Sequence, residues 1–190
     1  MFAKWLIFTK NDTVQIVLWG YMGSGKSTVG VLLAKALNCD FIDLDTYIEQ
    51  GEGISVPEIF AGKGEVYFRR KEHEYLKELL SRKSNFVLAL GGGTPCYTHN
   101  LALLQAGSAT TVYLKVPLNI LVERLSTQKD QRPLIRYLTD AELPEFIGKH
   151  LFERSYYYNQ ASLKIDCGGK LPESVVSELL EILERSGSLV

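Results

Sequence analysis

The sequence has little cysteine, no excess of either charge and no long hydrophobic run. Its three cysteines, Cys39, Cys96 and Cys167, stand too far apart among 190 residues for a zinc or redox Cys-x-x-Cys motif. The formal charge is −1, from 21 Lys and Arg against 22 Asp and Glu, so no basic excess indicates a nucleic-acid partner. No stretch reaches the roughly 20 apolar residues of a membrane span. We therefore expect a cytoplasmic protein that binds neither nucleic acid nor membrane.

The length and composition predict one domain over residues 1–190. Residues 1–10 are apolar but are followed by polar residues and no small-residue cleavage site, which is a poor match to a signal peptide. An extra edge strand or a loose leader is the expected use of this segment. No heptad pattern or unused apolar stripe remains along the chain, so we expect a monomer.

Short apolar segments alternate with longer segments of helical period. Strands are predicted at residues 14–19, 41–43, 86–90, 110–116 and 162–167. Helices are predicted at residues 27–37, 65–82, 118–125 and 140–152, with a short helix from the capping box of Ser55 and Glu58 and a last helix opened by Pro172. Nearly continuous apolar strands that alternate with helices predict an α/β fold with a parallel sheet covered on both faces.

A phosphate-binding motif follows the first predicted strand. Residues 20–27 read Gly-Tyr-Met-Gly-Ser-Gly-Lys-Ser and match G-x-x-x-x-G-K-[ST] in full. The glycines let backbone N–H groups point at phosphate oxygens, and the helix that follows adds its positive end. The motif predicts binding of a nucleoside triphosphate with Mg²⁺, with candidate contacts at Gly23, Ser24, Gly25, Lys26, Ser27 and Thr28. It does not choose between a kinase, a GTPase switch and a mechanical ATPase, although the guanine-reading string N-K-x-D is absent.

Asp43 and Asp45 flank Leu44 at the end of the second predicted strand. In an extended chain these two side chains would share a face, at the sheet edge where α/β proteins bind ligands. One carboxylate could serve Mg²⁺ and its water, and the other could hold or deprotonate an acceptor hydroxyl. A solvated turn is the alternative interpretation of this short motif.

Three further features indicate an acceptor site. Gly91, Gly92 and Gly93 end the third predicted strand, where bare backbone lets a ligand approach closely, although a simple turn would have the same sequence. Arg69 and Arg154 are candidates to grip an anion, because a guanidinium binds a carboxylate through two parallel hydrogen bonds. A single helical arginine is also common as a surface or ion-paired residue.

Taken together, these motifs resemble the shikimate kinase family. The resemblance extends from about Gln15 to Leu183 and includes the order and spacing of several strings. These are residues 20–28, 41–45, 48–49, 55–60, 64–65 and 68–69, Glu72, residues 91–93 and 132–134.

The resemblance implies a fold and an activity. The fold would be a three-layer sandwich like that of nucleoside monophosphate kinases, with a five-stranded parallel sheet of order 2-3-1-4-5. A substrate-binding region would span about residues 44–82, and a mobile lid about residues 124–150. The activity would be transfer of the γ-phosphoryl group of ATP to the 3-hydroxyl of shikimate, giving shikimate 3-phosphate and ADP.

The resemblance also implies the roles of single residues at the nucleotide. Lys26 matches the catalytic lysine of the phosphate loop, Ser27 the Mg²⁺ ligand, and Asp43 the acid that holds Mg²⁺ through water. Arg132 matches the lid arginine that reaches the transferring phosphate. Contacts with the adenine would come from Arg124 and Pro172.

At the acceptor, Asp45 matches the residue that binds the shikimate hydroxyls and is a proposed base. Arg69 and Arg154 match the pair that grips the shikimate carboxylate, and residues 91–93 match the triglycine that meets the ring. The sequence departs from the family pattern at Ile135, where Leu is common, in the long segment 136–149, and in residues 1–13, which have no assigned counterpart. A kinase of another small hydroxy acid, such as gluconate, and a nucleotide-binding module without catalysis remain the alternatives.

Overall fold

A computed structural model describes residues 13–186 of the protein. The predicted edge strand or leader in residues 1–10 lies outside the described residues. The strands are β1 (Gln15–Trp19), β2 (Asp40–Asp43), β3 (Phe86–Ala89), β4 (Thr110–Lys115) and β5 (Leu163–Asp166). The α-helices are α1 (Lys26–Leu37), α2 (Leu44–Glu52), α3 (Val56–Leu80), α4 (Thr98–Ala106), α5 (Leu118–Ser126), α6 (Leu143–Tyr158) and α7 (Pro172–Arg185). None of the helices in this part of the chain is long and apolar enough to cross a membrane.

The strands form one five-stranded parallel sheet of order β2-β3-β1-β4-β5, which confirms the predicted fold. The pairing places Asp43 beside Ala89 and Ala89 beside Leu18, so β2, β3 and β1 end at nearly the same level. The segments that follow these three strands therefore leave the sheet at one shared edge.

The core lies on both faces of the central strands. Every residue of β1 and β3 is buried, which requires cover on each side of the sheet. Helix α1 packs against β1, β3 and α7, while α5 packs against α6. Fully burying one Leu or Val side chain stabilises the fold by roughly 1.5–3 kcal/mol, so this central layer holds the sheet edge rigidly.

Helix α2 begins directly at the end of β2 and was not predicted from the sequence. The Asp43 carboxylate caps it, accepting hydrogen bonds from the backbone N–H groups of Asp45 at 3.1 Å and Thr46 at 3.4 Å. Asp45 therefore lies in the first turn of a helix, and the expectation that Asp43 and Asp45 share one face of an extended strand is wrong. The short side chain of an N-cap Asp satisfies two free backbone donors, which favours the early turn into a helix.

Helix α3 joins the two helices predicted on either side of Gly64. The predicted capping box is confirmed, with Ser55 N–H donating to Glu58 Oε2 at 2.8 Å and Glu58 N–H donating to Ser55 Oγ at 3.4 Å. Gly64 interrupts the helix with φ 80° and ψ 171°, a conformation that is essentially restricted to glycine. The break sets the direction of the second half of α3, which carries Arg69.

Helix α6 begins and ends later than the predicted residues 140–152. Thr139 and Glu142 exchange hydrogen bonds before its first residue, and the helix continues to Tyr158. Of the three consecutive tyrosines that end it, Tyr158 is fully buried, whereas Tyr156 is 67% exposed. Tyr158 therefore packs in the core, whereas Tyr156 faces solvent. The extension keeps Arg154 within a regular helix.

Replacing Gly64 should cost stability, and replacing Gly62 should not. No atom lies within 4 Å of a methyl group placed on either glycine, but only Gly64 has non-helical backbone angles within α3. We expect Gly64→Ala to lower the free energy of unfolding by about 1–3 kcal/mol because of backbone strain. The matched variant Gly62→Ala should raise it by about 0.4–1 kcal/mol. Urea unfolding of both variants measures these effects, and equal changes would contradict the role of the Gly64 backbone.

Candidate active site

A cavity of about 560 Å³ opens at the shared edge where β1, β2 and β3 end. Most of the residues singled out from the sequence line it, on both its nucleotide and acceptor sides. They are Gly23, Ser24, Gly25, Lys26, Ser27, Thr28, Asp43, Asp45, Gly91, Gly92, Arg124, Arg132 and Pro172. The remaining three, Arg69, Gly93 and Arg154, do not line the cavity. Gly93 belongs to the glycine segment of residues 91–93, and Arg69 and Arg154 lie beside that segment.

The phosphate loop connects β1 to α1 and needs glycine at two positions. Gly23 and Gly25 have φ values of 77° and 91°, in the left-handed region that other residues rarely adopt. Gly25 caps α1, so the free N–H groups of the first helical turn face the cavity. Lys26 Nζ donates to the carbonyl oxygens of Gly20 and Tyr21, each at 3.0 Å, which holds the ammonium group across the loop.

The Lys26 ammonium stands in a charged and poorly hydrated environment. The pKa of Lys26 is lowered to about 8, chiefly by desolvation and also by the positive charges of Arg132 and Arg154. The carboxylates of Asp45 and Asp43 oppose these effects. An anion that reaches this loop gains an electrostatic attraction that water no longer screens, and its charge would raise the pKa of Lys26 again.

Ser27 and Asp43 bring two oxygens together beside the phosphate loop. Ser27 Oγ donates to Asp43 Oδ2 at 3.1 Å, while Asp43 Oδ1 caps α2. Hydroxyl and carboxylate oxygens suit Mg²⁺, which takes few protein ligands and completes its shell with phosphate and water. Across residues 13–186 no group of three or more His, Cys, Asp or Glu side chains could hold a metal alone. The pair therefore fits Mg²⁺ that arrives with a nucleotide.

Asp45 points its carboxylate at the first glycine of the segment after β3. A methyl group on Gly91 would lie 3.1 Å from Asp45 Oδ1, so the bare backbone is what admits the carboxylate here. The pKa of Asp45 is raised to about 6, chiefly by desolvation and also by the nearby Asp43 and Glu72 carboxylates. Lys26 and Arg69 lower the pKa of Asp45 but do not cancel the rise. A carboxyl group with a pKa this close to neutrality is suited to accept a proton.

Arg69 lies against the third glycine and is held by two carboxylates. A methyl group on Gly93 would lie 3.3 Å from Arg69 Nη2. Arg69 Nη1 donates to both oxygens of Glu72 at 3.1 Å, and Nε donates to Glu65 at 3.3 Å. The guanidinium also stacks over the Tyr97 ring at 4.2 Å from its centroid. These contacts hold Nε and Nη1 of the guanidinium and leave Nη2 close to the glycine segment.

Glu72, Thr94 and Asn100 form a buried network that the sequence reasoning did not assign. The Glu72 carboxylate is 1% exposed and accepts hydrogen bonds from Thr94 Oγ1 at 2.6 Å and Asn100 Nδ2 at 3.3 Å. Thr94 follows Gly93 directly, so the network joins Arg69 to the glycine segment. Glu72 is part of the strings that carried the family resemblance, but its partner Asn100 lies 28 residues away along the chain.

Arg154 lies against the second glycine, on the side facing α6. A methyl group on Gly92 would lie 3.6 Å from Arg154 Nη1 and 3.4 Å from the Met22 amide nitrogen of the phosphate loop. Tyr158, one turn after Arg154, donates its hydroxyl to the Gly92 carbonyl at 2.6 Å. Trp19, the last residue of β1, donates its indole N–H to the Tyr158 carbonyl at 3.1 Å. The glycine segment is therefore attached to α6, and α6 to the central strand.

The cavity is also lined by Arg124, Arg132 and Pro172. Arg124 Nη1 donates to the Gly23 carbonyl of the phosphate loop at 3.1 Å. Arg132 follows the 3₁₀ turn Lys129–Gln131 and adds a positive charge near Lys26. Pro172 opens α7, as predicted. This part of the lining thus combines two cations with an apolar residue.

Comparisons with known proteins agree on one family. The sequence model of the shikimate kinase family matches residues 22–184. A shikimate kinase of Flavobacterium psychrophilum is 47% identical over 169 residues, covering 89% of this chain and 98% of that protein. A shikimate kinase of Aquifex aeolicus is 42% identical over 172 residues, covering 90% of this chain and 96% of that protein.

Solved structures give the same result. The crystal structure of shikimate kinase from Bacteroides thetaiotaomicron has a TM-score of 0.83 at 39% identity and covers 90% of this chain and 98% of that one. Shikimate kinase from Acinetobacter baumannii in complex with shikimate has a TM-score of 0.82 at 32% identity, over 92% of this chain and 94% of that one. A gluconokinase from Sinorhizobium meliloti shares only the fold, with a TM-score of 0.55 at 19% identity over 90% of this chain and 92% of that one. The chain belongs to the shikimate kinase family.

Proposed function

We propose that this protein transfers the γ-phosphoryl group of ATP to the 3-hydroxyl of shikimate, giving shikimate 3-phosphate and ADP. One observation carries the assignment of residues to this shikimate kinase activity. Asp45, Arg69 and Arg154 each lie within 3.6 Å of the place where a methyl group would stand on a different glycine of residues 91–93, directly beside the phosphate loop. This arrangement offers a carboxylate for a hydroxyl and two cations for an acid, on a backbone surface that leaves room for a ring.

Arg69 and Arg154 would bind the shikimate carboxylate. The two guanidinium groups belong to different helices, α3 and α6, and each has a nitrogen close to the glycine segment. Charge-assisted hydrogen bonds from two arginines fix both the position and the rotation of a carboxylate. Gly91, Gly92 and Gly93 would then lie against the ring.

The nucleotide would occupy the other side of the cavity. Backbone N–H groups of residues 23–28 and Lys26 would bind its phosphates, while Arg124 and Pro172 would contact the adenine. Ser27 and Asp43 would hold Mg²⁺, which neutralises part of the phosphate charge when bound. The requirement for Mg²⁺ rests on the fit of this oxygen pair.

The transfer itself needs positioning and charge stabilisation. The shikimate oxygen forms a bond to the γ-phosphorus as the bond from that phosphorus to the ADP oxygen breaks. Asp45 orients the hydroxyl and receives its proton, which a carboxyl group with a pKa of about 6 can do near neutral pH. Lys26 and Arg132 stabilise the negative charge on the oxygens of the transferring group.

Residues of about 124–150 would act as a lid. They bring Arg132 to the cavity, and closure over both substrates would exclude water that could otherwise hydrolyse ATP. The remaining expectations, a single domain over residues 1–190, a monomer and a cytoplasmic location, stay predictions.

The proposal is tested by ADP release. The purified chain with ATP and Mg²⁺ should release ADP rapidly when shikimate is added, and slowly without it or with gluconate. Product analysis should find the phosphate on the 3-hydroxyl. Release that does not depend on shikimate would contradict the proposal and favour a nucleotide-binding module, whereas preference for gluconate would favour a different hydroxy-acid kinase.

Arg132 and Arg69 should affect different kinetic constants. We expect Arg132→Ala to lower kcat about 100-fold or more, because its charge acts on the transferring group. Arg69→Ala should raise the shikimate KM about 10–100-fold, the loss expected for hydrogen bonds to a charged group. Steady-state kinetics in both substrates separates these effects.

Arg70→Ala and Arg136→Ala serve as matched controls for these two variants. Both side chains belong to exposed residues that do not line the cavity. An equal loss of kcat and shikimate affinity in Arg132→Ala would remove Arg132 from its assigned role. An unchanged shikimate KM in Arg69→Ala would remove the carboxylate assignment.

Asp45 should reduce stability above pH 6. Its carboxyl pKa is about 6 in the folded chain against an ordinary value of 3.8, so ionisation costs the folded state free energy as pH rises from about 4 to about 6. Asp45→Asn cannot ionise, and its stability relative to the parent should increase by about 1–3 kcal/mol between pH 4 and pH 7. Urea unfolding at both pH values measures this. Asp40→Asn, at the exposed start of β2, controls for loss of one negative charge, and an equal dependence in both variants would contradict the burial effect.

A further inference from the structure

The two arginines beside the glycine segment are held in different ways. Arg69 pairs with two carboxylates, Glu65 and Glu72. Within residues 13–186, by contrast, no carboxylate lies within ion-pair distance of Arg154. Its guanidinium carbon instead lies 5.5 Å from the centroid of the Tyr21 ring, and the Tyr158 hydroxyl lies nearby.

The Tyr21 ring is fixed against α6. Tyr21 is 1% exposed, and its hydroxyl lies 3.3 Å from His150 Nδ1. The Tyr21 and His150 rings also meet edge to face, with centroids 6.4 Å apart. Because His150 and Arg154 are four residues apart on α6, their side chains lie on the same face of the helix, and one ring contacts both.

The backbone of Tyr21 belongs to the phosphate loop. Its carbonyl accepts hydrogen bonds from Lys26 Nζ at 3.0 Å and from the Ser24 amide at 3.1 Å. Tyr21 itself does not line the cavity. Its main chain is thus held by the loop that binds phosphate, while its side chain extends to the helix that carries Arg154.

An aromatic ring holds an arginine without occupying its hydrogen-bond donors. The ring face attracts the guanidinium through its quadrupole, whereas the N–H groups point outward in the guanidinium plane. A carboxylate at the same place would neutralise Arg154 and compete with an acidic ligand for those donors. Arg154 therefore keeps a fixed position together with donors available near Gly92.

We propose that Tyr21 is a positioning residue for the acidic substrate: its ring supports Arg154 so that the guanidinium faces the substrate carboxylate. The inference rests on the proposed function, because it assigns Arg154 to the shikimate carboxylate. The inference adds that Tyr21, the second residue of the phosphate-loop motif, sets the geometry of the site that binds the substrate carboxylate.

The first test compares variants that keep or remove the ring. Tyr21→Phe keeps the ring and removes only the hydroxyl, so the shikimate KM should stay within about 2-fold of the parent. Tyr21→Leu removes the ring and should raise the shikimate KM about 5–20-fold, within the range of a partly buried cation–π contact. Tyr21→Met is a second variant without the ring, and its unbranched side chain fills irregular space. If Tyr21→Leu does not fold, Tyr21→Met takes its place and should show the same rise in the shikimate KM. Thermal unfolding of each variant verifies that the chain is folded.

The second test is a double-mutant cycle with Arg154→Ala. If Tyr21 acts through Arg154, adding Tyr21→Leu to Arg154→Ala should raise the shikimate KM by less than about 2-fold. The ATP KM should change much less than the shikimate KM in Tyr21→Leu. Additive losses, an equal rise in the ATP KM, or a Phe variant as impaired as the Leu variant would each overturn the assignment.

Failure of the inference differs from failure of the proposed function. If the unmodified chain releases ADP on addition of shikimate but the losses are additive, only the role of Tyr21 is wrong. If the unmodified chain shows no shikimate-dependent ADP release, the proposed function is wrong and the role of Tyr21 is overturned with it.

Discussion

The site depends on the alignment of three parallel strands that end at one level. The pairing of Asp43 with Ala89 and of Ala89 with Leu18 brings the segments after β2, β3 and β1 to one edge of the sheet. A one-residue slip would turn every side chain of the slipped strand to the other face and would displace the site groups that follow the strand. Because β1 and β3 are buried on both faces, the apolar core enforces this register. The packing of apolar side chains therefore fixes the positions of the polar site residues.

The edge concentrates charges of both signs in a poorly hydrated space. Desolvation lowers the pKa of Lys26 to about 8 and raises that of Asp45 to about 6, so each charge is held against a free-energy penalty. Buried charges of this kind reduce the stability of the folded chain, and they become favourable only when ligands of complementary charge bind. The shifts in opposite directions are consistent with one group that binds phosphate and another that accepts a proton.

The glycine segment after β3 is where the two halves of the site meet. Carboxylate, guanidinium and phosphate-loop atoms all lie within van der Waals distance of methyl groups that residues 91–93 do not have. The segment itself is held by Thr94, through Glu72, and by the Tyr158 hydroxyl. The bare backbone provides access, and the buried polar groups behind it provide rigidity, which together define a surface suited to a ring with hydroxyl and carboxylate groups.

Short-range features of this protein were determined by the sequence itself. The phosphate loop, the apolar strands and the capping box of α3 depend on neighbouring residues, so their spacing predicts them, and the parallel sheet order followed from the family resemblance. The tertiary structure decided the rest. It joined Glu72 to Asn100 and set Arg154 against Tyr21, because contacts between residues far apart along the chain depend on how α3 and α6 pack beside the sheet. No local pattern of residues encodes those distances.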